Sequence, residues 1–136
     1  MNTKLKNAWG YQGDKMNLPV ADLEAALPFY EKVFGFRLMS RSDSPHKSAV
    51  LERDGIEIGF AENGGDASQD GCAFEVDNVE AAFAEFKTNG LEKELSEFSI
   101  EKHDDGSSWK VFFVIAPDGL CYWFGEKQTD NVAEDR

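Results

Sequence analysis

Apolar and polar residues alternate in two short stretches of the chain. Met16, Leu18 and Val20 alternate with Lys15, Asn17 and Pro19, and Cys72, Phe74 and Val76 alternate with Gly71, Ala73 and Glu75. A period of two predicts strands with one face against a core. Each strand leads into apolar positions at helical spacing: Leu23, Ala26, Leu27, Tyr30 and Val33 in the first case, Val79, Ala82, Phe83 and Phe86 in the second. Asp22 and Asn78 are placed to accept the unpaired amide hydrogens of each first turn, and Gly35 and Gly90 to end each helix. Pro28 sits late for a first-turn proline and predicts a lost hydrogen bond and a local bend. Three strand-like runs follow each helix: 36–43, 47–53 and 55–62, then 95–102, 109–116 and 120–126. Turns are expected at Ser44-Pro45, Asp54-Gly55, Asp104-Asp105-Gly106 and Pro117-Asp118-Gly119.

The two halves repeat. Val20-Ala-Asp-Leu-Glu-Ala-Ala26 is echoed at an offset of 56 by Val76-Asp-Asn-Val-Glu-Ala-Ala82, with four identities in seven positions. The matching order of strand, cap, helix, glycine and three strands predicts an α+β fold of two tandem βαβββ modules. Module 1 spans about 14–62 and module 2 about 71–127, joined by the Gly- and Asp-rich linker 63–70. That linker would permit the modules to pair within one chain or to swap between two. Residues 1–12 and 128–136 are expected to be mobile ends.

Composition narrows the function classes. A chain of 136 residues suits a single domain, and 14 basic against 26 acidic side chains leave a net charge of −12. That charge repels phosphate backbones and anionic lipid, so neither nucleic acid nor a membrane surface is an expected partner. With 41% hydrophobic residues and 12% aromatic, the chain is too apolar for an acidic disordered tail. Met1–Trp9 is polar and basic with no apolar run behind it, and Cys72 and Cys121 lie in apolar stretches without CxxC spacing. A cytoplasmic protein with two buried thiols is expected. His46 and His103 fall in turns without ligand spacing, and Gly64-Gly65 lacks the Lys-Ser/Thr of a phosphate loop.

At Val20-Ala-Asp-Leu-Glu-Ala-Ala-Leu-Pro-Phe-Tyr30 with Gly35-Phe36, at Ala73-Phe74-Glu75-Val76-Asp77-Asn78-Val79 and at Ala116-Pro117-Asp118-Gly119, the sequence resembles the vicinal oxygen chelate superfamily. That superfamily contains glyoxalase I, extradiol dioxygenases and bleomycin-resistance proteins. The resemblance runs over about residues 15–127 and implies modules that curl into half-open sheets around a cleft, commonly in a homodimer. It also implies four equivalent strand positions at which the enzymes hold a divalent metal with His, Gln or Glu. Those positions fall on Lys15, on Glu57 or Gly59, on Gly71 and on Trp123. An ammonium repels a cation, glycine has no donor and a neutral indole N–H is not a ligand, so neither a metal nor another cofactor is expected.

With those positions lost, the resemblance turns toward the antibiotic-binding, bleomycin-resistance branch. Asn17-Leu18-Pro19 before the helix and Trp109, seven residues before Ala116, resemble features of that branch. The expected function is sequestration of a cationic or aromatic small molecule in a dimer groove. Strand parity places Lys15, Asn17, Glu57, Gly59, Gly71, Ala73, Glu75, Cys121 and Trp123 on one side. Opposite them, on the helix-packed side, it places Met16, Leu18, Ile56, Ile58, Phe60, Cys72, Phe74, Leu120, Tyr122 and Phe124. The candidate ligand-binding residues are Lys15, Asn17, Glu57, Gly59, Gly71, Trp109, Cys121 and Trp123. Lys15 is also the expected salt-bridge partner of Glu57. The alternative is a glyoxalase-, epimerase- or lyase-type enzyme with an atypical or absent metal, in which Glu57 would be the base and Lys15 its electrostatic helper. A third class, a protein-binding module on the dimeric sheet, is also open.

Overall fold

A computed structural model describes residues 3–93 and 98–128. The elements run β1 (Leu5–Gly10), β2 (Leu18–Pro19), α1 (Leu23–Lys32), β3 (Arg37–Ser42), β4 (Ser48–Arg53), β5 (Ile56–Ala61), β6 (Gly71–Val76), α2 (Val79–Thr88), β7 (Ser99–Lys102), β8 (Ser108–Ile115) and β9 (Cys121–Gln128). They form two sheets, one ordered β2-β5-β4-β3 and the other β1-β6-β9-β8-β7. The fold is therefore mixed α+β, with β2-α1-β3-β4-β5 repeated as β6-α2-β7-β8-β9.

The helix signals act as their chemistry requires. Asp22 accepts the Ala25 amide at 3.3 Å and Asn78 the Ala81 amide at 2.9 Å. Gly35 and Gly90 take φ values of 75° and 111° just beyond the two helices, where a side chain would be strained. Pro28 lies inside α1, which continues to Lys32.

Both helices press onto one aromatic core. Phe34, beyond α1, meets Phe86 of α2 at 4.9 Å between ring centroids and Phe124 of β9 at 5.2 Å. Tyr30 meets Phe60 of the first sheet at 4.4 Å and Tyr122 of the second at 5.7 Å. Such contacts join the two halves through a shared core. Two hydroxyls enter this apolar space and are satisfied in series: Tyr122 donates to Tyr30 at 2.6 Å, and Tyr30 donates to Asp118 at 2.6 Å.

Three expectations need correction. Leu5–Gly10 is not a loose end but strand β1, antiparallel to β6, with Trp9 opposite Ala73. The expected strand through Lys15 and Met16 shrinks to Leu18–Pro19, and Met16 is exposed in a turn rather than packed beneath a helix. The cause is a close approach: a Cβ on Gly59 would lie 2.3 Å from the Met16 carbonyl oxygen, and the Gly59 amide donates to Lys15 O at 2.9 Å. Of the two thiols, Cys72 is buried, with burial pushing it up to about 12, whereas Cys121 is only partly covered. The expected start of the strand at 95–102 lies in part outside the described residues, as do 129–136.

Candidate functional site

The second sheet has one face against the helices and one face open. On β8 the even positions face inward: Phe112 and Val114 are buried, and Lys110 reaches the Phe98 ring and Glu80 of α2. Period two then turns Trp109, Val111, Phe113 and Ile115 to the open side. Register carries this face across the sheet, because Phe113 stands opposite Trp123, Trp123 beside Ala73, and Ala73 opposite Trp9. Glu101 of β7 stands opposite Trp109 and joins the same face.

Here the open face sinks into a cleft of about 420 Å³, lined by Trp9, Tyr11, Ala73, Glu101, His103, Asp105, Trp109 and Trp123. Trp109 and Trp123 pack with Val111 and Ala73 into an apolar cluster separate from the main core. Gly125 creates space for it, since a Cβ there would lie 2.3 Å from the Trp123 ring. Both indole N–H groups are already used. Trp109 Nε1 donates to Ser107 Oγ at 2.9 Å, Ser107 Oγ donates to Asp105 at 2.5 Å, and Trp123 Nε1 donates to Glu101 Oε1 at 3.1 Å. The same Glu101 oxygen lies 3.2 Å from His103 Nε2. The Ser107 hydroxyl and amide hold the Asp105 carboxyl below its ordinary value, so it is an anion at neutral pH. Burial pushes the Tyr11 hydroxyl well up, so it stays protonated. The lining residues thus include two carboxylates and no lysine or arginine. Aromatic faces beside carboxylates attract a flat cation and repel an anion.

Of the eight residues singled out from sequence, Trp109 and Trp123 meet in this cleft. Gly71 and Cys121 stand side by side at its Tyr11 end, where the Tyr11 amide donates to Gly71 O at 3.0 Å and its hydroxyl lies 4.0 Å from Cys121 Sγ. The other four belong to the first sheet and its entry turn and do not line the cleft. Asn17 Oδ1 accepts from Asn63 at 3.0 Å. Lys15 Nζ donates to the backbone oxygen of Glu57 at 2.6 Å, so the expected contact with the Glu57 carboxylate is replaced by one with the main chain. Glu57 is exposed, and Gly59 serves the approach of Met16. The sequence reading missed Trp9, Tyr11, Glu101, His103 and Asp105. Glu101 joins the site only through the pairing of β7 with β8, and β1 carried no alternating signal.

The family model described as the Glyoxalase/Bleomycin resistance protein/Dioxygenase superfamily matches residues 13–123. The chain belongs to this superfamily. Among solved structures, a transposon-encoded bleomycin resistance determinant is 20% identical, with 84% of this chain and 96% of that one covered and a TM-score of 0.62. A bleomycin-binding protein complexed with bleomycin is 19% identical over 84% of this chain and 97% of that one, with a TM-score of 0.60. An integron cassette protein of Vibrio cholerae is 21% identical over 83% and 92%, with a TM-score of 0.64. At these identities the likeness is one of fold. No match to a curated protein is significant.

The superfamily's metal does not fit the residues present. Lys15 contributes an ammonium already bonded to a carbonyl, Gly71 contributes no donor, and Trp123 presents an N–H bonded to Glu101. Among the described residues no three His, Cys, Asp or Glu side chains converge on a point that an ion could share. No helix among them is long and apolar enough to cross a membrane.

Proposed function

We propose that this protein traps a small, flat, cationic molecule without chemical conversion, in the manner of the bleomycin-binding members of its superfamily. The observation that carries this reading is the Trp109–Trp123 pair, whose ring centroids are 5.4 Å apart beside the carboxylates of Glu101 and Asp105. With both N–H groups bonded internally and both residues only 8–9% exposed, what the indoles can offer a ligand is the strip of ring face that lines the cleft. A cation over such a face gains about 0.5–2 kcal/mol, with the upper end reached when water is excluded. The net charge of −12 raises the local concentration of cations at low salt.

A homodimer groove completes the proposal. Phe113 and Ile115 are 40% and 73% exposed and extend the open face of Trp109 along β8. A second copy laid over them would remove that apolar surface from water and wall the cleft on its open side. Titration of the purified protein with bleomycin and with flat cationic and anionic dyes, followed by tryptophan fluorescence, tests the reading. Saturable quenching by the cations and none by the anions is expected; equal response to both signs would refute it.

A further inference from the structure

His103 already occupies the cleft in the way a cationic guest would. Its ring is 5.7 Å from that of Trp109 at an interplanar angle of 24°, a stacked arrangement, and 6.1 Å from that of Trp123. Its Nε2 lies 3.2 Å from Glu101 Oε1. Indole faces and a carboxylate are what the proposed ligand would need, and a side chain of the protein holds them. We infer that His103 is an internal competitor for the cleft, whose protonation closes the site to cations and whose deprotonation opens it. This rests on the cation-trapping reading and adds a control to it.

The geometry explains how a proton would act. An imidazolium strengthens both contacts, as a charge-assisted hydrogen bond to Glu101 and as a cation over Trp109. A neutral imidazole keeps weaker versions of both, and imidazoles change charge between about pH 5 and 8. The turn is braced: the His103 amide donates to Ser107 O at 2.9 Å and His103 O accepts the Gly106 amide at 2.9 Å, so opening the site requires only rotation of the side chain. Several charged groups surround the ring. Glu101 faces it directly, Asp105 senses it from the turn, and Asp104 adjoins it in sequence. Opposing them, Lys127 of β9 acts on Asp105, Lys102 is drawn off to Ser108 Oγ, and Tyr11 stays uncharged.

The test uses N-methylacridinium, a flat cation whose charge does not vary with pH, and a readout of the free protein. For the unmodified protein, affinity should rise about tenfold between pH 5.5 and pH 8, the equivalent of one charge-assisted hydrogen bond. In His103→Ala the affinity should be higher at pH 5.5 and nearly flat across the range. Without ligand, tryptophan fluorescence should titrate across the same interval in the unmodified protein and not in the variant. Weaker binding by His103→Ala at every pH would make the imidazole a wall of the site and overturn the competition while leaving the cleft reading intact. If the dye binds neither protein, cation trapping fails, and the ligand-free titration alone decides the contact: its absence refutes the closed form.

Discussion

Trp123 and Gly125, two residues apart on β9, are sterically coupled: the indole lies across the place where a Cβ of residue 125 would stand, 2.3–2.9 Å from three of its ring carbons. A real Cβ does not approach non-bonded carbons that closely. The open face of the second sheet therefore has its shape because one position in β9 carries no side chain.

Gly125→Ala should push the Trp123 ring out of its place. Overpacking of this kind costs about 1–3 kcal/mol, and the indole's bond to Glu101 would be lost or bent. The near-ultraviolet circular dichroism of the tryptophans should change and affinity for a flat cation should drop, with the main core intact. An unaltered spectrum would show that the ring has room to move.

The Tyr122–Tyr30–Asp118 chain should make stability fall in alkali. Burial raises both tyrosines well above the ordinary value of 10.0. The unfolded chain then releases those protons first, so stability is full below pH 10 and lost as the pH climbs beyond it. Asp118, also raised by burial, acts in the same sense in the acid range, its contribution full below pH 3.8 and lost above it. Tyr30→Phe leaves the Tyr122 hydroxyl without its acceptor and should cost about 1–3 kcal/mol. The Tyr30→Phe/Tyr122→Phe double variant should lose less than the sum of the two, which a denaturant double-mutant cycle measures.

Arg53 clamps the N-terminal segment to both halves. Its guanidinium donates to Phe34 O at 2.6 Å and Thr3 O at 2.7 Å and pairs with Glu85 at 2.8 Å, with both side chains 8% exposed. Glu85→Ala would remove one of the two carboxylates that pair with this buried cation, leaving Asp54 at 3.3 Å, and should cost about 1–3 kcal/mol, more than an exposed pair such as Arg37–Glu52 could. Urea midpoints of the two corresponding variants make the comparison.

Ile115→Glu puts a charge at the end of β8, on the face proposed to meet a second copy. Sedimentation velocity should show the unmodified protein as a dimer and the variant as a monomer with the same melting behaviour per chain. A monomeric parent protein would remove the groove from the proposal.

Much of this architecture was legible in the chain. The two caps, the two closing glycines and the order of the strands all follow from residues whose local chemistry decides their conformation. Less was legible where tertiary contacts override local pattern. In β1 the buried residues Leu5 and Ala8 are three apart, because the register shifts between Leu5 and Asn7, and a bulge of that kind hides a period of two. Lys15 and Met16 alternate like a strand but turn instead, because Gly59 admits the Met16 backbone. Trp109 and Trp123 could be assigned to one face by parity. Their meeting with His103 and Glu101 depends on the pairing of β7 with β8 and on the bonded turn that follows β7, which no single-strand pattern encodes.

The most direct test of the cleft is the indole region of a proton–nitrogen correlation spectrum. Three tryptophans, Trp9, Trp109 and Trp123, supply three indole N–H signals. On titration with a flat cation the signals of all three should shift together and saturate at one concentration, and Trp123→Leu should weaken the titration about tenfold or more. Saturable binding that leaves the Trp109 and Trp123 signals in place would put the ligand elsewhere and contradict the assignment of this cleft.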